Sequence, residues 1–194
     1  MNYPRRLIIG ILTLLIGIGT NVLCLAAIDK LSPSFPSLPD PLIDHWPLVH
    51  FPAWAELGFV AILIVTVYIF IFRQRRDLPL LLVTLGIFYA ARGIMQFFMP
   101  IGSPLGAAPV DARFVFYPYP SHAYFPGGHF GILTVFGLAI RNWRWQWLYF
   151  AMAGIFALGT MLAKTHYTAD IIGGWLLAYA VHMIVKHRLS GWTN

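Results

Sequence analysis

Charged residues scarcely interrupt the long apolar runs of this chain, and a water-soluble fold has no way to hide so many of them. A helix that crosses a bilayer needs about 20 mainly apolar residues. Six stretches reach or approach that length: Leu7–Ile28, Ala53–Phe72, Leu78–Met99, Gly128–Ile140, Trp145–Leu162 and Ile171–Val185. Hydrophobic residues fill 59% of the 194 positions and charged ones 10%, where an ordinary soluble domain carries about a quarter charged. With 13 basic and 7 acidic side chains the chain cannot clothe a soluble surface. That excludes a cytoplasmic enzyme and a disordered segment, and a single cysteine excludes a disulfide scaffold. The formal charge of +6 forms no basic stripe able to follow a phosphate backbone, so nucleic acid is not an expected partner. The expectation is an all-α, polytopic membrane protein, one domain over residues 1–194 with six transmembrane helices.

Charge placement orients it. With a cytoplasmic N-terminus, the inner segments hold nine cations: Arg5, Arg6, Arg73, Arg75, Arg76, Arg141, Arg144, Lys186 and Arg188. The outer segments then hold three, Lys30, Arg113 and Lys164. This is the excess the positive-inside rule predicts, and six spans return the C-terminus to the cytoplasm. The Arg5-Arg6 start resembles a secretory leader, but the apolar run is too long for one and no small-x-small site follows, so the first run reads as a retained span. Trp46, Trp54, Trp143, Trp145 and Trp147 suit an interfacial belt, whereas Trp175 reads as core packing.

The outer connections, residues 29–52 and 100–126, are long, and the inner ones short and basic. Pro33, Pro36, Pro39, Pro41 and Pro47 make helix improbable through most of the first. Its string Leu38-Pro39-Asp40-Pro41-Leu42-Ile43 suits a cap at the membrane surface. The second includes the aromatic run Phe114-Val115-Phe116-Tyr117-Pro118-Tyr119-Pro120. Long outer loops on so small a protein point to function on that face.

Four polar side chains in apolar surroundings call for a chemical reason. His166 and Asp170 stand four apart just before the last apolar run; on a helix they share a face and can hydrogen-bond. A carboxylate on one imidazole nitrogen fixes the tautomer and leaves the other to attack or to accept a proton. The plain alternative is a helix-starting Asp beside an interfacial His. His129 follows Pro126-Gly127-Gly128, an entry into a helix whose first amides lack partners and so favour an anion. Arg92 lies some seven residues inside the third run, roughly 10 Å deep at about 1.5 Å per residue. An arginine there faces a bundle interior and meets a partner; its fork suits phosphate, or pairs structurally with Asp170 or Glu56. All four converge on the outer third of the bilayer from three helices. Together they make a metal-free phosphoryl-transfer site: His166 attacking phosphorus, Asp170 orienting it, His129 protonating the departing oxygen, Arg92 and the amides around Gly127 and Gly128 holding the equatorial oxygens. His166, Asp170 and His129 form at most an incomplete metal site, no His-Glu-x-x-His or Gly-x-Ser-x-Gly motif occurs, and no cofactor is expected.

Pro126-Gly127-Gly128-His129 resembles the Pro-Ser-Gly-His motif of the type 2 phosphatidic acid phosphatase superfamily, and His166-Tyr167-Thr168-Ala169-Asp170-Ile171 resembles its final His-x-x-x-Asp motif. The second is closer to the His-Tyr-Thr-x-Asp-Val form of sphingomyelin synthases and related lipid phosphotransferases. Arg92 with Met99-Pro100-Ile101-Gly102 is similar to the Arg and Leu-Pro-x-Pro stretch of that branch. The likeness covers about Tyr89 to Tyr179 within a motif-bearing core of 89–185. It implies a six-helix bundle with His166 as nucleophile, Asp170 as orienting acid and His129 as second catalytic histidine. Two departures stand out. Gly127 replaces the family serine. Gly159 and Thr160 occupy the positions of a Ser-Arg pair of the phosphatase branch, and the Lys-x6-Arg-Pro motif of that branch does not occur in this chain. Lys164 is a substitute cation for phosphate, or else a snorkelling interfacial residue.

The expected function is therefore a metal-independent lipid phosphoryl-transfer enzyme working through a phosphohistidine. Headgroup transfer between lipids and hydrolysis of a lipid phosphate stay open, since they differ only in whether a lipid hydroxyl or water resolves that intermediate. A non-catalytic lipid-binding or structural descendant is the alternative. The expected partners are membrane lipids, and small size with minimal loops points to a bacterial inner membrane, the site facing the periplasm or cell exterior.

Overall fold

The fold comes from a computed structural model that describes residues 2–31, 35–49, 54–107 and 125–192, with the side chains of 54–57 left aside. Every regular element among them is helical: α1 (Tyr3–Leu31), α2 (Trp54–Tyr68, prolonged by a π-helical turn Ile69–Arg73), α3 (Leu78–Phe98), α4 (Gly128–Ala139), α5 (Trp143–Leu162) and α6 (Thr168–Arg188). Short 3₁₀ turns at Arg75–Asp77 and Ser190–Trp192 complete them. The helices end where the chemistry allows. Pro79 occupies the first turn of α3, where no amide proton is needed. The Asn142 side chain accepts the Arg144 amide at 3.0 Å to start α5. At the other end of α5 the Lys164 amide reaches the Met161 carbonyl and the Thr165 amide the Thr160 carbonyl, both at 3.0 Å. That is a Schellman ending, with Lys164 in the left-handed region at φ 52°.

Four helical segments are long and apolar enough to cross a membrane: Tyr3–Leu31, Arg75–Phe98, Trp143–Leu162 and Thr168–Arg188. Gly58–Arg73 and Gly128–Ala139 are apolar but shorter. The 12 residues of α4 rise only about 18 Å, so the expectation of six spans is met by length and composition for four. Large apolar side chains line the outside, and several polar ones are buried beside an apolar core. Leu15, Ile16, Leu23, Ile64, Phe72, Trp147, Leu176 and Ile184 are exposed, while Asn21, Thr84, Arg92, Gln96, Thr134, Asp170 and His182 are buried. An apolar outer surface of this extent suits lipid surroundings.

Contacts fix how the helices run. Gly10, Gly17 and Gly93 bring α1 and α3 together side by side, Gly10 at Pro79, Gly17 at Gly86 and Asn21 at Gly93, so the two helices are parallel. A Cβ on Gly17 would lie 1.9 Å from the Gly86 carbonyl oxygen; only glycine permits this approach. His129 meets Phe156 and Phe136 meets Tyr149, so α4 and α5 run antiparallel. Phe59 packs on Phe156 and Thr66 bonds Tyr149, which sets α2 antiparallel to α5. Arg92 reaches Pro126 at one end and Arg141 reaches Asp77 at the other, so α3 opposes α4. The six helices therefore alternate in direction. Phe88, Phe130, Leu133, Val135 and Ala178 fill the core between α3, α4 and α6. Trp175, expected in that core, is 38% exposed because α6 turns this face outward. One end of the bundle gathers the C-termini of α1, α3 and α5 and the N-termini of α4 and α6.

Candidate functional site

The turn from α5 into α6 builds the centre of the site. Tyr167 is the N-cap of α6 and Asp170 its third residue. The Tyr167 amide donates to Asp170 Oδ2 at 2.9 Å, the carboxylate half of a capping box, and the negative charge sits at the positive end of the helix dipole. Oδ2 also lies 3.3 Å from His166 Nδ1. His166 precedes the helix, so the pair meets through the capping turn and not across a shared helical face as the spacing suggested. Asp170 is fully buried, and Oδ1 has no donor among the described residues. The His166 side chain is 12% exposed, with its ring edge-on to Phe130 at 5.4 Å between centroids.

The start of α4 is tied to this turn. Gly127 is the α4 N-cap, and its amide donates to the Asp170 carbonyl at 2.9 Å. One of the amides expected to bind phosphate is therefore committed. Those of Gly128 and the following first-turn residues are the ones the helix itself cannot satisfy. A Cβ on Gly127 would stand 1.9 Å from the Phe130 ring; the position that holds serine in the resembled motif is here filled by an aromatic side chain. Gly128 has a different reason to be small. A Cβ there would lie 3.2 Å from Arg92 Nε, so the glycine lets the guanidinium close onto the α4 end.

Arg92 is 5% exposed. Nε donates to the Pro126 carbonyl at 2.9 Å and Nη1 to Asn21 Oδ1 at 3.1 Å, so the fork joins α1, α3 and the α4 entry. Both acceptors are neutral oxygens, and the side chain of Glu56, one of the carboxylates considered from sequence, lies outside the described residues. His129, one step along α4, is half-buried against Phe59 at 4.7 Å and stacked on Phe156 at 6.1 Å, which turns it toward α2 and α5. Lys164 Nζ donates to the Asp44 carbonyl at 3.2 Å, which uses it as a tether for the first long loop.

That loop holds what the sequence reading missed. Asp40 is 6% exposed; its Oδ2 accepts the Thr168 amide at 2.7 Å and its Oδ1 the Thr168 hydroxyl at 3.1 Å. The carboxylate thus covers the first amide of α6, two residues from His166. The Tyr167 hydroxyl donates to the Gly102 carbonyl at 3.1 Å and accepts the Leu38 amide at 3.0 Å. Burial pushes this phenol above its ordinary value, so it stays a donor at neutral pH. Ser37 Oγ adds a bond to the Ser103 carbonyl at 2.6 Å, and the Gly102 amide one to the Pro36 carbonyl at 3.1 Å. Residues 35–49 and 100–107 are stitched together over the α6 start, as a cap would require. A lone acid between two prolines was the available signal for Asp40, and one amide side chain in an apolar run the signal for Asn21. The Phe114–Pro120 run and Arg113 lie outside the described residues, and so does the Trp54 side chain.

Among the described residues no three His, Cys, Asp or Glu side chains gather as metal ligands do. Neither a protein-family model nor a curated protein sequence matches the chain.

Proposed function

We propose that this chain is a metal-independent phosphoryl-transfer enzyme acting on phosphate-ester lipids, of the kind its motifs resemble in the type 2 phosphatidic acid phosphatases and sphingomyelin synthases. The observation that carries the reading is the connection through Asp170. Its carboxylate meets His166 and its carbonyl holds Gly127, while Arg92 grips Pro126 in the same entry turn. Three separated sequence motifs are thus joined at one bundle end by direct bonds.

We assign the chemistry to those residues and to His129 in the first turn of α4. With Nδ1–H donated to the carboxylate, Nε2 of His166 is the nitrogen that attacks phosphorus. The P–N bond forms as the ester P–O bond breaks, and His129 gives the leaving oxygen a proton. Water or a lipid hydroxyl then attacks phosphorus, its proton passes to His129, and the P–N bond breaks. The guanidinium of Arg92 and the unsatisfied first-turn amides of α4 stabilise charge on the equatorial oxygens. By the positive-inside rule this end of the bundle faces outward, with both termini in the cytoplasm. In a bacterium that places the site at the periplasmic face of the inner membrane.

The test is mass spectrometry of products after incubation with a panel of glycerophospholipids and lipid phosphates, with diacylglycerol and ceramide as acceptors. A headgroup-exchanged lipid identifies a transferase; a dephosphorylated lipid with free phosphate identifies a hydrolase. Either product must vanish in His166→Ala, and its persistence there rules out the nucleophile. Silence of the wild-type protein across the panel rejects the enzymatic reading.

A further inference from the structure

The opposite end of the bundle contains a second polar site that phosphoryl transfer does not use. A cleft of about 270 Å³ opens where the C-termini of α4 and α6 meet the N-terminus of α3. His182 lies about 18 Å along α6 from Asp170 at about 1.5 Å per residue, so the cleft is no extension of the first site. Most of its polar lining is already committed. Arg141 clasps Asp77 with Nε to Oδ2 and Nη2 to Oδ1, both at 2.7 Å. Thr84 donates to the Leu80 carbonyl at 2.8 Å and Gln146 to the Ile140 carbonyl at 2.6 Å.

Two groups stand apart. His182 is 4% exposed and lines the cleft, yet its Nδ1 has no hydrogen-bond partner among the described residues. Lys186, one turn further along the same face of α6, also lines the cleft and is exposed. A buried imidazole nitrogen without a partner costs free energy that most native positions avoid. The Asp77 carboxylate, neutralised by its two-point clasp with Arg141, does not answer the Lys186 charge. The remaining walls, Leu81, Leu138 and Leu189 among them, are hydrocarbon.

We infer that this cleft binds the phosphate group of an anionic ligand, with Lys186 supplying the countercharge and His182 a hydrogen bond from Nδ1–H. Basic pockets between helices at the cytoplasmic side of membrane proteins take anionic lipid headgroups in this way, and the apolar walls suit the glycerol and upper acyl carbons of such a lipid. The two sources of phosphate, a headgroup and the free ion, share the same contacts and are separated by experiment.

The protein is placed in nanodiscs of phosphatidylcholine mixed with phosphatidylglycerol, and lipid retention is read by native mass spectrometry for wild type, Lys186→Gln, His182→Asn and Arg188→Gln. Arg188 is exposed on the same last turn and outside the cleft lining. The expected result is selective retention of phosphatidylglycerol, reduced about fivefold by Lys186→Gln, the equivalent of about 1 kcal/mol per basic residue. His182→Asn is expected to weaken it as well, and Arg188→Gln to leave it unchanged. If inorganic phosphate displaces the retained lipid, the site reads phosphate alone; if it does not, the lipid is the ligand. Equal retention of both lipids, or equal loss in Lys186→Gln and Arg188→Gln, overturns the inference. Because Lys186 is at the surface, its variant tests the site even where His182→Asn impairs folding.

Discussion

Gly127 changes meaning once its surroundings are known. As a sequence feature it is a missing serine hydroxyl, whose restoration should help hold phosphate. In the fold, any side chain there enters the ring of Phe130, and that ring packs on His166. Gly127→Ser is therefore expected to lower turnover by about tenfold or more, since overpacking a filled position costs about 1–3 kcal/mol and each 1.4 kcal/mol is about a factor of ten. The double variant Gly127→Ser with Phe130→Ala should recover part of the loss. Initial rates on whichever lipid substrate is found decide the matter, and a single Gly127→Ser variant faster than wild type would falsify this account of the position.

At the scale of elements, the start of α6 is held from outside by the loop before α2. Asp40 caps the Thr168 amide and hydroxyl, and the Asp40 amide is itself fixed by Asp44 Oδ2 at 2.9 Å. Loss of a helix cap costs about 1 kcal/mol. Asp40→Ala should lower the unfolding midpoint in detergent by that order and speed proteolysis within residues 35–49. Asp40→Asn keeps one acceptor oxygen and should fall between the two. An unchanged midpoint and cleavage rate in Asp40→Ala mean that the loop is anchored by other contacts. Lys164 belongs to the same arrangement, because the left-handed Schellman position that points it at Asp44 is one that glycine would fill more easily.

For the whole molecule, the parallel seam of α1 and α3 is what delivers Arg92 to the site, since Asn21 and Gly93 meet in that seam and Asn21 holds the guanidinium. Gly17→Leu must drive the Gly86 backbone away. It is expected to destabilise the fold by about 3 kcal/mol, the upper range of overpacking, and to suppress activity with it. A Cβ added at Gly19 on the same helix meets nothing within 4 Å, so Gly19→Ala should be tolerated, with thermal unfolding of both variants as the measurement. Orientation has its own test, by cysteines introduced into 35–49 after Cys24 is replaced. They are expected to react with an impermeant thiol reagent from the outer side; labelling only from the cytoplasmic side reverses the topology.

The apolar runs determined by themselves that the chain is helical and suited to a membrane, because uninterrupted hydrophobic length is a local property of sequence. The pairing of His166 with Asp170, four positions apart, was legible for the same reason. Three things depended on contacts between residues far apart in the chain, to which no local spacing responds. Asp40 reaches Thr168 only because the first loop folds over α6. The Gly127 amide faces the Asp170 carbonyl only because α4 and α6 run parallel with their ends together. The Arg92 fork ends on Asn21 and Pro126 because close glycine packing sets the α1–α3 register and antiparallel packing brings α4 alongside. Tertiary packing alone decided these, since it fixes where a polar group finds its partner once water is excluded.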